Sequence, residues 1–205
     1  MKKELFIKFL KEIRPSDFQS LLPRFEQHYS WLLKENEKLN LISRKTDPED
    51  IWTVHFLDSL LSVNFVDFSS KRVLDFGTGG GFPGIPLAIL YPASRFTLLD
   101  STKKKIASVK SAAEQLGLAN CSFSDVRIEE LASSLNGTFD VVVSRSVRML
   151  PLYKKVIMRL LNAGGKLVLY KSRNLDDVEL FPNARIHDVS TPEIGERKII
   201  VIDKP

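Results

Sequence analysis

The amino-terminal third of the chain carries apolar side chains at steps of three and four residues, a spacing that predicts α-helices. The spacing is regular over residues 5–13 and 25–33. Pro15 and Pro23 fall within this region, and because proline lacks a backbone N–H, we expect the helices to be interrupted at both. A further helical run over residues 51–61 follows a turn-like Thr-Asp-Pro sequence. The pattern therefore predicts a helical amino-terminal extension.

The pattern changes at residue 71, where short apolar runs begin to alternate with longer helical runs. The predicted strands are RVLDF, RFTLLD, CSFSDV, FDVVVSRS and KLVLYKS, and the predicted helices are GIPLAILYP, KKKIASVKSAAEQLG, IEELASSL and LPLYKKVIMRLLNAGG. Strands without polar alternation, separated by helices, are typical of a parallel sheet covered on both faces. The last run, ERKIIVIDK, predicts one more strand, at the edge of a terminal antiparallel pair.

These patterns predict a doubly wound, Rossmann-like α/β fold with a mostly parallel sheet and helices on both faces. We expect a helical extension over residues 1–70 and a ligand-binding domain over residues 71–205, together forming one compact unit. A length of 205 residues with 43% hydrophobic residues is enough for one well-packed core.

The composition excludes several classes of protein. The single cysteine, Cys121, excludes an internal disulfide framework and a cysteine-cluster zinc site, and three scattered histidines favour no metal site. No apolar run approaches the roughly 20 residues that span a bilayer, so we expect a cytoplasmic protein without a membrane or metal partner. The net charge is +5, with −1 in residues 1–70 and +6 in residues 71–205. A modest positive charge alone is a weak sign of a nucleic-acid partner.

A glycine cluster after the first predicted strand is the candidate ligand site, because ligands of open α/β folds bind at the carboxyl ends of strands. Gly79, Gly81 and Gly84 fit the G-x-G-x-x-G spacing of a dinucleotide-binding turn, which alone is a weak signal. From Asp75, the same segment is D-x-G-x-G-x-G, with the amides of Gly77 and Gly79 able to approach a ligand. A carboxylate attracts the cationic amine of a methionine group and repels a pyrophosphate. The spacing that starts at Asp75 therefore favours S-adenosylmethionine over NAD.

Asp100 ends the second predicted strand, where a carboxylate can accept hydrogen bonds from both ribose hydroxyls. Both cofactors contain such a ribose, so Asp100 does not discriminate between them. The alternative is that Asp75 only caps the following helix and that the glycines only form a tight turn.

Four segments, LDFGTGGGFPGIPLAI, TLLDS, FDVVVSRSV and HFLDSLL, together resemble the bacterial RsmG (GidB) family. The resemblance runs from about Leu39 to the end of the chain. It implies a class I, Rossmann-like methyltransferase that uses S-adenosylmethionine to methylate N7 of a guanine in small-subunit (16S) ribosomal RNA. The implied partner is ribosomal RNA or the small ribosomal subunit, and we expect a monomer.

The resemblance also implies roles for single residues. Gly77 and Phe82 line the cofactor, Ile128 and Glu129 meet its adenosine end, and Arg145 lies beside the methyl-transfer site. An arginine there suits guanine O6, a phosphate or the cofactor carboxylate, since N7 itself must stay free to react.

Two further cations, Lys171 and Arg197, are candidate substrate-binding residues, although exposed surface positions are as common for such side chains. His55 and Asp58 lie three apart in the sequence, and we expect them to form a buried hydrogen-bonded pair. Gly80 replaces a more usual alanine or proline, which we expect to change only the flexibility of the turn. Val54 stands where the family often has arginine.

The chemistry of the residues is consistent with N7 methylation. Guanine N7 carries an in-plane lone pair, so the enzyme must mainly align donor and acceptor. A C5-pyrimidine methyltransferase needs a cysteine nucleophile, whereas Cys121 begins the third strand. An exocyclic-amine methyltransferase is expected to carry an Asn/Asp-Pro-Pro-aromatic loop, whereas this chain has Ser144-Arg145-Ser146. A small-molecule methyltransferase, an NAD-linked oxidoreductase and a non-catalytic RNA-binding module remain alternatives.

Overall fold

The computed structural model describes residues 1–205, and its centre is a seven-stranded sheet in the order β3-β2-β1-β4-β5-β7-β6. The strands are β1 (Arg72–Phe76), β2 (Arg95–Leu99), β3 (Cys121–Ser124), β4 (Phe139–Arg145), β5 (Leu161–Lys171), β6 (Arg185–Asp188) and β7 (Lys198–Asp203). The first five strands pair in parallel, and β7 pairs antiparallel with both β5 and β6. The strand order reverses between β1 and β4, which is where open α/β sheets bind ligands.

The helices are α1 (Lys2–Ile13), α2 (Phe18–Asn36), α3 (Asp58–Leu60), α4 (Gly84–Leu90), α5 (Lys103–Gln115) and α6 (Pro151–Leu160). A π-helical turn, Trp52–Leu57, leads directly into α3. Pro15 separates α1 from α2 as predicted, but the predicted interruption at Pro23 is wrong. Pro23 lies inside α2, where the packed apolar face of the helix outweighs the loss of one backbone hydrogen bond.

Three other predictions of secondary structure are corrected. Residues 161–165, predicted as the end of a helix, begin β5. Residues 128–135 form two short 3₁₀ turns, Ile128–Glu130 and Ser133–Leu135, instead of one helix. The final predicted strand, β7, is not at the edge, because β6 covers its outer side.

The sheet separates two apolar cores. One contains buried side chains of α1, α2, α4 and α5, and the other contains those of α6. The amino-terminal helices therefore share a core with the sheet instead of packing only on themselves. The boundary between residues 70 and 71 stays a prediction. No helix of the molecule is both long and apolar enough to cross a membrane.

Candidate cofactor and substrate groove

Three adjoining pockets lie at the carboxyl ends of β1, β2, β4 and β5. The apolar pocket, of about 230 Å³, is lined by Phe76, Gly77, Leu99, Asp100, Ser101, Val126, Arg127, Ile128, Glu129, Val147 and Tyr153. The glycine pocket, of about 400 Å³, is lined by Leu41, Ile42, His55, Gly77, Thr78, Gly79, Gly80, Phe82, Asp100, Lys105, Arg145, Ser146 and Val147. The cationic pocket, of about 310 Å³, is lined by Thr46, Val54, His55, Asp58, Arg145, Ser146, Tyr170, Lys171, Ser172, Asn174 and Arg197.

The pockets share walls and therefore form one groove. Gly77 and Asp100 line both the apolar and the glycine pocket, while His55, Arg145 and Ser146 line both the glycine and the cationic pocket. The groove brings together every predicted site residue except Asp75.

Asp75 lies beneath the glycine turn and holds it by hydrogen bonds. Its side chain is fully buried, and its Oδ2 accepts hydrogen bonds from the Thr78 hydroxyl at 2.6 Å and the Gly84 amide at 2.8 Å. A Cβ added at Gly84 would lie 2.5 Å from that same oxygen, so only glycine fits where α4 begins. Burial raises the pKa of Asp75 to about 6, against the opposing effect of these hydrogen bonds. Asp75 thus caps α4 and holds the glycine turn, and its direct contact with a ligand amine stays a prediction.

Asp100 ties the glycine turn to the end of β2. Its Oδ2 accepts from the Gly79 amide at 3.0 Å, and its Oδ1 accepts from the Thr102 amide at 2.9 Å. Gly77 and Gly79 both have positive φ, which glycine adopts without strain. A carboxylate has about four lone-pair positions, so Asp100 can still accept two hydroxyl groups.

Arg145, the last residue of β4, is held on three sides. Its Nη1 donates to Asp58 Oδ2 at 2.9 Å, its Nη2 donates to His55 Nδ1 at 3.1 Å, and its guanidinium lies 5.0 Å from the centre of the Phe82 ring. Asp58 is buried and Arg145 nearly so. The predicted direct pair between His55 and Asp58 is wrong, because both side chains bind Arg145 instead.

Asp58 also holds a second arginine. Its Oδ1 accepts from Arg197 Nε at 3.0 Å, so one carboxylate joins Arg145 and Arg197. Lys171 forms a buried ion pair with Asp177 and donates to the Val147 carbonyl at 3.1 Å. The structure therefore brings both candidate substrate-binding cations, Lys171 and Arg197, to the pocket that Arg145 lines, and their contact with a substrate stays a prediction.

Phe82, Ile128 and Glu129 all line the groove, and their contact with a cofactor stays a prediction. Phe82 lines the glycine pocket and stacks on His28, with ring centres 5.5 Å apart. Ile128 and Glu129, on a 3₁₀ turn, line the apolar pocket. Tyr153 also lines the apolar pocket, and it was not identified from the sequence as a site residue. Its ring packs edge-on against that of Phe76.

Ser146 was also missed. It has a positive φ, in the left-handed region that is uncommon for a residue with a side chain. It lies where the glycine and cationic pockets meet. Its position directly after β4, at the carboxyl end of a strand, is the sequence feature that could have identified it as a groove residue.

Gly80 does more than set the flexibility of the turn, contrary to our expectation. A Cβ added there would lie 2.9 Å from the Leu41 carbonyl oxygen. Leu41 and Ile42 line the glycine pocket, so Gly80 allows the amino-terminal segment to close over the turn.

The residues of the groove fit S-adenosylmethionine. The apolar pocket offers Phe76, Leu99 and Ile128 for a flat adenine ring, and Asp100 offers free lone pairs for ribose hydroxyls. A Cβ on Gly77 would collide with the Val147 side chain, so only glycine at position 77 lets Val147 pack against the turn. No group of three or more His, Cys, Asp or Glu side chains is arranged to hold a metal ion.

Solved structures share this fold. A SAM-dependent methyltransferase from Aquifex aeolicus superimposes with a TM-score of 0.60 at 16% identity, covering 78% of this chain and 94% of that one. Such a likeness concerns the fold alone. Together, the strand order, the glycine turn and the acid that follows β2 define a Rossmann-like α/β fold whose groove fits a nucleoside cofactor.

Sequence comparison identifies the family. The GidB model, described as rRNA small subunit methyltransferase G, matches residues 21–193, and the chain belongs to this family. The ribosomal RNA small subunit methyltransferase G of Chlorobium limicola is 44% identical over 151 residues, which cover 73% of this chain and 67% of that protein. Its counterpart in Syntrophomonas wolfei is 36% identical over 184 residues, covering 84% of this chain and 86% of that protein. The cofactor is therefore S-adenosylmethionine and the substrate is ribosomal RNA, as the resemblance implied.

Proposed function

We propose that this protein transfers a methyl group from S-adenosylmethionine to N7 of a guanine in small-subunit (16S) ribosomal RNA. The observation that supports this proposal is the absence of a free base where the glycine and cationic pockets meet. Arg145 is always protonated, and each oxygen of Asp58 already binds an arginine. His55 directs Nδ1 to Arg145, and burial, reinforced by the charges of Arg145 and Arg197, lowers its pKa to about 3.

A site without a free base suits a nucleophile that has no proton to lose. Guanine N7 attacks through a lone pair that is already available, whereas an exocyclic amine must release a proton after or during attack. The groove therefore favours a ring nitrogen, and its chemistry consists of alignment. Cys121 offers no alternative nucleophile, because it begins β3, outside the groove, and burial raises the pKa of its thiol to about 12.

When bound, S-adenosylmethionine supplies an electrophilic methyl group on a sulfonium. In our proposal Ile128 and Glu129 bind the adenosine end, Asp100 accepts the ribose hydroxyls, and the turn at Gly77 and Gly79 receives the methionine end. Asp75 keeps that turn in shape, and its buried Oδ1, which has no hydrogen-bond partner in the chain, is the atom we expect to attract the cationic amine.

On the substrate side, Arg145, Lys171 and Arg197 provide positive charge for a phosphate or for guanine O6. Arg145 has five N–H donors, of which His55, Asp58 and the Val54 carbonyl take three, so two remain. Val54 lines the cationic pocket, so the arginine that the family often has at this position would add a further cation there. The monomeric state and the cytoplasmic location stay predictions.

The identity of the methylated nucleoside tests the proposal. Small ribosomal subunits from cells that lack this enzyme are incubated with the protein and labelled S-adenosylmethionine, and the RNA is digested to nucleosides for mass spectrometry. We expect 7-methylguanosine as the labelled product. A labelled methyl group on any other nucleoside, or on protein, would overturn the proposal.

A variant pair connects the reaction to Arg145. We expect Arg145→Met to lose roughly a hundredfold or more in turnover, because both the orienting cation and the partner of Asp58 are removed. Arg148→Met is the matched control, since Arg148 is exposed and lines none of the three pockets. Equal losses in the two variants would contradict the role of Arg145.

A further inference from the structure

His55 lies at the point where the glycine and cationic pockets join. It belongs to the π-helical turn Trp52–Leu57, and its ring contacts Arg145, the last residue of β4. The ring is held between Phe82, with centres 5.1 Å apart, and the guanidinium of Arg145. It is thus positioned between the two halves of the groove that methyl transfer must connect.

The contact with Arg145 determines which ring nitrogen carries hydrogen. A guanidinium has only donors, so His55 Nδ1, 3.1 Å from Arg145 Nη2, must accept. Neutral imidazole has one N–H, and with Nδ1 occupied as an acceptor that hydrogen is on Nε2. Arg145 cannot turn away easily, since Asp58 binds its other terminal nitrogen.

The ring stays neutral at physiological pH. The groups that face it are Arg145, Arg197 and His28, all cationic or neutral, together with Asp58, whose two oxygens bind the two arginines. Burial and these cations lower the pKa of His55 to about 3. His55 is therefore a donor through Nε2 and cannot become an acceptor there without breaking its bond to Arg145.

The Nε2 atom of His55 makes no hydrogen bond within the chain. Unlike both ring nitrogens of His28, it is not among the fully enclosed, unpaired side-chain atoms. His55 is a lining residue of both pockets that meet at this point. A bound group that accepts a hydrogen bond would therefore give the Nε2–H of His55 a partner.

We propose that His55 donates this hydrogen bond to O6 of the target guanine and so selects guanine over adenine. The inference rests on the proposed function. In guanine the N7 and O6 atoms are both acceptors, whereas adenine has an N6 amino donor beside N7. A fixed donor therefore matches guanine and opposes adenine, while it leaves N7 free to react.

Removal of O6 from the substrate tests the contact. Small subunits are reconstituted with RNA that has either guanine or 2-aminopurine at the modified position, because 2-aminopurine keeps N7 but lacks O6. We expect the wild-type protein to lose roughly tenfold in kcat/KM on 2-aminopurine, the cost of one unmade hydrogen bond. We expect His55→Leu to be slower on guanine by a similar factor and to react equally with both bases.

His55→Gln is the matched control. Its amide can place a donor near the position of Nε2, and like the leucine variant it lacks the Nδ1 acceptor for Arg145. It should therefore retain much of the preference for guanine, whereas a general disturbance of Arg145 would affect both variants alike. Full preference for guanine in His55→Leu, or loss of preference in both variants, would overturn the proposal.

Two further readouts separate this inference from the proposed function. Nitrogen-15 spectra of histidine-labelled protein should show His55 as the neutral Nε2–H form from pH 5 to 8, and an Nδ1–H form or a titration in that range would overturn the inference whatever the substrate. The affinities of His55→Leu and His55→Gln for S-adenosylhomocysteine should equal each other, since much weaker binding by His55→Leu would place the donor on the cofactor. If the wild type makes no 7-methylguanosine, it is the proposed function that fails.

Discussion

At the scale of single residues, the carboxylate of Asp58 organises the substrate side of the groove. It binds Arg145, 87 residues further along the chain, and Arg197, 139 residues further along. With 4% of its side chain exposed, Asp58 has little water to replace these partners. Its position three residues after His55 suggested a local pair, and only the folded structure brings the two arginines to it.

We predict that Asp58→Asn destabilises the protein by about 3 kcal/mol or more, because it leaves two guanidinium groups around a neutral amide. Urea unfolding measures this loss, and methylation should fall with it, since Arg145 loses its anchor. Glu114→Gln is the control, as Glu114 forms an exposed ion pair with Lys110, and it should leave the unfolding midpoint almost unchanged. A wild-type midpoint for Asp58→Asn would contradict the role given to this carboxylate.

Sequence reasoning located the parts of the groove that are local in the chain and missed the parts that depend on distant contacts. The turn from Asp75 to Gly79 and the acid Asp100 could be located because each follows directly from a recognisable strand. The partners of Arg145 could not, since His55 lies 90 residues away along the chain and Asp58 lies 87 residues away. Asp75 differs from the other predicted residues, because its Oδ2 binds the start of α4 and the residue lines none of the three pockets, so its contact with a ligand stays a prediction.

At the scale of elements, apolar periodicity located β1, β2, β4 and β5 and the helices α4, α5 and α6, because these strands are largely buried. It failed for residues 128–135, where Leu131 and Ala132 have extended backbones and each side of this break is too short to form a stable helix. It also missed β6, whose sequence Arg-Ile-His-Asp has no apolar face. Such a charged, short strand is typical of a sheet edge.

The packing of α4 against β1 and β2 leads to a prediction at this scale. Gly84→Ala would bring a methyl group to 2.5 Å from Asp75 Oδ2 and 2.6 Å from the Leu98 side chain. We expect a loss of roughly 1–3 kcal/mol in stability from this overpacking, and weaker S-adenosylhomocysteine binding because the glycine turn is displaced. Thermal unfolding and calorimetric titration measure the two effects.

Gly117→Ala is a suitable control for that variant. Gly117 has a positive φ with nothing within 4 Å of an added Cβ, and it lies after α5, away from the groove. Gly117→Ala should lower the free energy of unfolding by about 1 kcal/mol through backbone strain and leave the affinity for S-adenosylhomocysteine unchanged. Wild-type ligand affinity in Gly84→Ala would show that Asp75 and Gly84 do not shape the cofactor turn.

At the scale of the whole molecule, the amino-terminal helices and the cofactor turn form one structure. His28 of α2 is fully buried, stacks on Phe82 of the glycine pocket and lies 5.2 Å from Phe56 between ring centres. The division of charge seen in the sequence also fits this arrangement, since Arg145, Lys171 and Arg197 all come from the positively charged segment after residue 70. The sharing of a core between distant segments was not visible in the sequence.

Burial of His28 predicts a loss of stability in mild acid. Burial lowers its pKa to about 3 from an ordinary value of 6.5, so below pH 6.5 the unfolded chain binds a proton that the folded chain does not. His55 acts in the same direction, and Asp75, with its pKa raised to about 6, acts in the opposite direction between pH 6 and 3.8. Between about pH 6 and 4.5, the free energy of unfolding of the wild type should fall as the pH falls. We expect that of His28→Leu to fall by about 1 kcal/mol less per pH unit.

Urea unfolding at several pH values measures that slope. Phe25→Leu is the matched control, because Phe25 lies in the same core and does not titrate. It should lower stability at every pH and leave the slope at its wild-type value. An unchanged slope in His28→Leu would mean that His28 is already charged, or hydrated, in the folded protein.

The measurement that tests the account most directly is a crystal structure of the protein with S-adenosylhomocysteine. We predict adenine in the apolar pocket beside Ile128, the ribose hydroxyls on Asp100, and the homocysteine end over Gly77 and Gly79. The sulfur should then face the junction where His55 and Arg145 meet, with the cationic pocket left for the RNA base. A ligand bound in another orientation, or with its sulfur directed away from Arg145, would contradict the account.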